Sequence, residues 1–202
     1  MFDRKIILGS GSPRRKELLS SIWSGEIEII KSDIEEIYPA DLALEKIPLY
    51  LAKLKASDLK SRLQLKDDIL LTADTIVICE ANVLGKPKDV NEAKIMLELL
   101  SNKAHTVITG VAIYWQDKCI EIEDKTDVYF NSLSPQDILY YLEKYSPLDK
   151  AGSYGIQEFI GMIGIEKIHG CYYNVMGLPT SRVWKELFRI QKNKYSIDFQ
   201  IF

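Results

Sequence analysis

Apolar side chains recur along this chain in two rhythms, and the switching between them predicts an α/β fold. Lys5 to Leu8 reads as a short strand running into Gly9-Ser10-Gly11-Ser12-Pro13, and a helix follows from Pro13 to Ile22. Glu26 to Glu36 reads as strand then loop. Pro48 opens a second helix, amphipathic, through Leu51, Lys55, Leu59 and Leu63. Ile69 to Cys79 is too rich in β-branched residues for a surface strand and belongs mid-sheet, covered on both faces. Glu80-Ala81-Asn82 turns the chain, and Ala93, Met96, Leu97 and Leu100 give Asn91 to Leu100 a helical period ended by Ser101-Asn102.

His105 to Trp115 and Lys118 to Phe130 are two strands joined by Gln116-Asp117, an antiparallel hairpin, so the sheet is mixed. Ser134 caps a helix with Pro135 at its first position and Asp137 at its third, running to about Tyr145. Ser146 to Gly164 reads as a loop system with a brief helix, and loops carry sites. Cys171 to Met176 is expected as the last strand, Pro179 to about Ile190 as the last helix, followed by a polar and aromatic tail. No repeat, linker or domain boundary interrupts residues 1–202, which read as a single domain, or two lobes sharing a core.

Composition narrows the function classes. A net charge of -3 leaves no overall positive field to hold a nucleic acid, and a basic face with interleaved aromatics is missing, so any polyanion is gripped locally. Cys79, Cys119 and Cys171 are too widely spaced for zinc or dithiol chemistry and are expected as reduced, mostly buried thiols. His105 and His169 lie far apart with no zinc-binding helix motif, which gives histidine catalysis little support. The apolar run Ile6 to Leu8 is too short for a signal segment, and Asp74 interrupts the longest membrane candidate. A cytoplasmic protein with no membrane partner is expected.

Several residues carry chemistry. Arg14 and Arg15 sit in the first turn of a helix, where exposed amides already make the field positive. An anion at that end removes the conflict, and the Gly-Ser-Gly-Ser loop offers donors for a phosphate; the alternative is that both arginines face solvent or bridge to Glu17. The loop lacks the Walker ending and the third glycine of dinucleotide folds, which removes kinase, GTPase and dehydrogenase readings. Asp74, inside an apolar run, needs a cation, a metal or backbone amides to offset its burial. Lys55 and Lys86 are phosphate cations or ordinary surface lysines. Glu35 and Glu36 are surface charge, or join Asp74 around a hard cation such as Mg²⁺. Gln157 ends the run Asp149-Lys150-Ala151-Gly152-Ser153-Tyr154-Gly155-Ile156-Gln157, and its amide matches a pyrimidine edge without choosing between uracil and cytosine.

ILGSGSPRRKELL (7–19), ADTIV (73–77), LGKPKD (84–89), HTVITGV (105–111), DKAGSYGIQ (149–157) and NVMGLP (174–179) together resemble the Maf family of nucleoside triphosphate pyrophosphatases, in order and over nearly the whole chain. The resemblance implies a fold like that of inosine triphosphate pyrophosphatases, a mixed sheet flanked by helices with a deep cleft between two lobes. It assigns Ser10, Arg14 and Arg15 to a phosphate loop, Glu36 and Lys55 to the acidic and basic groups of the cleft, Asp74 to catalysis, Lys86 to phosphate, and Thr75 and Gln157 to substrate choice. DKAGSYGIQ looks like the branch that prefers dTTP and UTP; Glu158 departs from it, since glycine commonly follows the glutamine there. The expected reaction has Asp74 position or deprotonate a water attacking the α-phosphorus, with Glu36 and Asp74 holding Mg²⁺, or Mn²⁺ as the alternative. The expected partner is a small nucleotide, and a homodimer is allowed. The competing readings are a nucleotide-binding regulator of septum formation without turnover, and a pyrophosphatase for 7-methyl-GTP or another base.

Overall fold

In the computed structural model, which describes residues 4–192, Ile6–Leu8 forms β1 and Pro13–Ile22 forms α1, with Gly9 to Ser12 between them. Ile27–Ile29 is β2, Ile47–Arg62 α2, Ile69–Cys79 β3, Asn82–Leu84 β4 and Val90–Leu100 α3. The hairpin strands are β5, Ala104–Trp115, and β6, Lys118–Phe130. Pro135–Tyr145 is α4, Phe159–Gly164 α5, Ile165–His169 β7, Tyr172–Met176 α6 and Thr180–Lys192 α7. Ser134 and Asp137 form the reciprocal capping box that their spacing announces, satisfying two amides that the first turn of α4 would leave open. The predicted C-terminal tail lies outside the described residues.

All seven strands join one mixed sheet in the order β2-β1-β3-β5-β6-β7, with β4 beside β3. The two short strands share one edge of β3: β1 runs parallel to Ile69–Leu71, and β4 antiparallel to Val77–Cys79. Between them, Thr72 to Ile76 keeps a ladder partner on the β5 side only. The sheet therefore forks at the middle of the long, largely buried β3, and Asp74 sits in the fork.

On one face α2 packs across the sheet, and Thr72 Oγ donates to Ala52 O at 2.7 Å. Its first turn approaches β5 so closely that a Cβ at Gly110 would collide with the backbone of Pro48 and Leu49. On the other face two apolar cores form. One joins Ala73 and Val111 to Leu18 and Leu19 of α1 and to Val183 and Leu187 of α7. The other joins Val77 and Val107 to Leu97 of α3 and Tyr141 of α4. Thr75, Thr109 and Asp124, paired in register across three strands, make a polar row between them. Alternation places each core two residues from that row, so two lobes share one continuous sheet.

The structure corrects several expectations. Cys171 to Met176 is not a strand: Tyr172–Met176 is α6. Gly177 ends it at φ 110°, donating its amide to Tyr173 O at 3.2 Å and Asn174 O at 2.9 Å. Buried Asn174 donates to Val107 O at 3.1 Å and to Thr126 Oγ at 2.9 Å, anchoring that turn on the sheet. The last strand is β7, six residues earlier; a register shift opposite Tyr129 and Phe130 breaks its alternation and hides it from a period-two search. Asn82, read as a turn residue, begins β4. The cysteines are free, but only Cys79 is buried; Cys119 is exposed and Cys171 half-buried.

His105 is structural. It is 3 % exposed, its Nε2 lies 2.8 Å from Tyr154 Oη, and the rings of Phe130 and Tyr154 meet it edge-on. Burial lowers its pKa from 6.5 to about 4. The unfolded chain then binds the extra proton between those values, so this contribution to stability is lost as pH falls from 6.5 towards 4. The advantage of wild type over His105→Leu in urea unfolding should shrink by about 3 kcal/mol on acidification from neutral pH. A difference that stays constant with pH refutes this.

Candidate active site

The fork opens into a cleft of about 350 Å³, in the range of small-molecule sites. Ser10, Arg14, Arg15, Glu36, Lys55, Asp74, Thr75, Lys86 and Gln157, scattered over the sequence, all line it. Glu35 does not. Lys31, Ser32, Asp149, Lys150, Tyr154 and Gly177 also line it and were not assigned a role by sequence reasoning. The signal for Asp149 and Lys150 was present, since they open the glycine-containing run that ends at Gln157; for Lys31 no local pattern distinguishes it from a surface lysine.

Asp74 is 7 % exposed, and its burial is offset by Lys55, equally buried, whose Nζ lies 2.5 Å from Asp74 Oδ1. The same ammonium is 2.7 Å from Glu36 Oε1. Lys55 is thus a cation between two carboxylates, not a solvated lysine. Burial acts to raise the Glu36 carboxyl, but Lys55, then Lys86 and Arg15, hold it below the ordinary carboxylate range. The second oxygen of Asp74 takes no hydrogen bond among the described residues, which leaves it as an acceptor at the cleft wall.

Neither first-turn arginine bridges to Glu17. Arg14 donates from Nη1 to Asp149 Oδ2 at 2.6 Å and from Nη2 to Asp149 O at 3.4 Å. Arg15 donates from Nε to Gly177 O at 2.9 Å, from Nη1 to Ser10 Oγ at 3.0 Å and Ala73 O at 2.9 Å, and from Nη2 to Thr75 Oγ at 2.9 Å. Four of the five N–H groups of a guanidinium are thereby used. At Ala73 the side chain substitutes for the neighbouring strand that the fork removes. Burial lowers the Arg15 pKa, opposed chiefly by Asp74. Arg15 is therefore a strut as well as a cleft cation.

Thr75 has a defined polarity. Thr109 Oγ donates to Asn174 O at 3.0 Å, so its single proton is taken. The 2.9 Å contact between Thr75 and Thr109 is then donated by Thr75, whose own oxygen accepts from Arg15. Thr75 offers a ligand an acceptor only.

The cleft wall holds six cations, Arg14, Arg15, Lys31, Lys55, Lys86 and Lys150, against Glu36, Asp74 and Asp149. A chain of net charge -3 thus concentrates positive potential in one depression. Towards the α3 and α4 lobe the lining turns apolar, with Val77, Val107, Tyr154 and Met176. One end suits a polyphosphate and the other a flat, partly apolar group. Glu158 does not line the cleft; it stands behind it, 3.1 Å from Lys150 Nζ.

The mixed sheet and its flanking helices belong to a known class of fold. The chain superposes on a HAM1 protein from Coxiella burnetii with a TM-score of 0.51, at 15 % identity, covering 92 % of this chain and 99 % of that one. The Ham1 protein of Staphylococcus aureus gives 0.51 at 14 % identity, over 91 % and 100 %. The fold, a mixed sheet flanked by helices, is thus shared. Within it, residues 5–190 match the family described as Maf-like protein, and the chain belongs to that family. A dTTP/UTP pyrophosphatase of Porphyromonas gingivalis strain W83 is 50 % identical over 186 residues, 91 % of this chain and 92 % of the relative. One of Flavobacterium psychrophilum is 51 % identical over 182 residues, 90 % and 92 %. Among the described residues no helix is long and apolar enough to cross a membrane.

Proposed function

We propose that this chain hydrolyses dTTP and UTP to the nucleoside monophosphate and pyrophosphate, the activity named for its relatives. The observation that carries the reading is Asp74, with one oxygen anchored on Lys55 and the other open, at the edge of a cation-lined cleft. Asp74 takes a proton from water, the water oxygen bonds to the α-phosphorus, and the bond from that phosphorus to the β-phosphate's bridging oxygen breaks, releasing pyrophosphate. Lys55 holds Asp74 in place, while Arg14, Lys31 and Lys86 neutralise charge on the phosphates.

Glu36 and Asp74 fit a divalent cation, Mg²⁺ or alternatively Mn²⁺. Each spends one oxygen on Lys55 Nζ and keeps its other oxygen free of hydrogen bonds among the described residues, so a hard cation would be held on those remaining oxygens, since such ions take one or two carboxylates together with phosphate oxygens and water. When bound, it supplies charge neutralisation on the phosphate oxygens.

With Mg²⁺, the chain should release pyrophosphate from dTTP and UTP faster than from ATP, GTP or 7-methyl-GTP. A purine winner overturns the base assignment. Tight binding of UTP with no pyrophosphate formed favours a regulator without turnover.

A further inference from the structure

Lys150 is among the most buried lysines of the described residues, its side chain 7 % exposed, yet it lines the cleft. Its Nζ lies 2.9 Å from Asp149 Oδ1 and 3.1 Å from Glu158 Oε1. An ammonium has three N–H donors, and two carboxylates in these positions leave one for a ligand. The Asp149 carboxylate is shared, its other oxygen accepting from Arg14 at 2.6 Å, so it fixes Lys150 relative to the phosphate end. Arg14 and Lys150 together also hold the Asp149 carboxyl below its ordinary range although burial acts to raise it.

Glu158 is built into the loop that carries Lys150 and Gln157. Its second oxygen accepts from the Tyr141 hydroxyl, whose oxygen accepts from the Gly155 amide at 3.0 Å, and Glu158 N donates to Gly155 O at 3.0 Å. A Cβ at Gly155 would lie 2.7 Å from the Glu158 carboxylate, so glycine is what lets the acid fold back over the turn. Tyr141 is fully buried in α4, which ties this arrangement to the lobe's core. Nearby, Gln157 Oε1 is buried with no hydrogen-bond partner.

We propose that Lys150 is a specificity-determining residue that donates to a carbonyl oxygen of a pyrimidine base, and that Glu158 is its positioning residue. This rests on the nucleotide reading above. Uracil and thymine present an N3–H between two carbonyl oxygens; an ammonium donor beside an unpaired amide acceptor complements adjacent positions of that edge. The base end is the matching place, because Lys150 shares its loop with Tyr154 and Gln157, on the apolar side of the cleft.

The test compares Lys150→Met and Glu158→Gln with wild type in calorimetric titrations of UMP and of inorganic tripolyphosphate, with thermal midpoints measured alongside. Lys150→Met should weaken UMP about tenfold, the scale of one charged hydrogen bond, and leave tripolyphosphate within about twofold. Glu158→Gln, nearly isosteric and so a safeguard if the first variant folds poorly, should weaken UMP about threefold with the same indifference to tripolyphosphate. Unchanged UMP affinity in Lys150→Met overturns the proposal, as does equal weakening of both ligands, which would move Lys150 to the phosphate end. Unchanged UMP affinity in Glu158→Gln alone removes its positioning role. A wild type that binds UMP in a Lys150-dependent way but forms no pyrophosphate from UTP sinks the proposed function and upholds this inference.

Discussion

Asp74→Asn should bind UTP with near wild-type affinity and release pyrophosphate roughly 10²- to 10⁴-fold more slowly, the scale of a lost general base. The substitution keeps the side-chain volume, and the carboxamide oxygen still accepts from Lys55, which retains Glu36 as counter-ion. Folding is therefore preserved while the open oxygen is replaced by an amide that cannot take a proton. Steady-state pyrophosphate release with Mg²⁺ in excess, paired with titration of a non-hydrolysable UTP analogue, separates turnover from binding. A rate within a few-fold of wild type removes Asp74 from the chemistry.

The second large effect is expected from Lys55→Met, and it is one of stability and activity together. Removing the ammonium leaves Asp74, 7 % exposed, without its cation and facing Glu36 across the gap. Breaking one partner of a buried ion pair costs about 3–5 kcal/mol, and the half-exposed position of Glu36 puts this case towards the lower end. With Lys55 gone, burial and the facing Asp74 charge push the Glu36 carboxyl above its unfolded value, where wild type holds it below. The sign of the linkage reverses accordingly: the variant gains stability relative to wild type as pH falls through the carboxylate range. Urea unfolding at pH 7 and pH 5 measures this. A variant as stable as wild type at pH 7 shows that Lys55 is not what offsets the burial of Asp74.

Where the chain announces its own geometry through local chemistry, it could be read directly. Pro13 opening α1, the reciprocal cap at Ser134 and the two-residue link between β5 and β6 each depend on a few neighbouring residues. The failures are equally physical. Cys171 to Met176 has the composition of a strand, but Gly177 and the anchoring of Asn174 make five of those residues a helical turn. β7 carries Ile165 and Ile168 at a spacing that reads as helix, because a bulge against β6 absorbs an extra residue, Glu166. The departure at Glu158 was visible as a departure, and its consequence, a second carboxylate for Lys150, was not.

Residue types and their order were enough for the α/β class, the positive glycine loop and a suspect acid in an apolar strand, because each rests on one stretch of chain and its local chemistry. Which partner each group meets was decided by the folded arrangement. Lys55 reaches Asp74 only because α2 crosses β3, Arg15 replaces a strand only because β1 and β4 leave a gap, and Lys150 is gripped only because Gly155 lets Glu158 turn back. Those contacts join residues distant along the polypeptide, and their energies depend on burial, which no local pattern encodes.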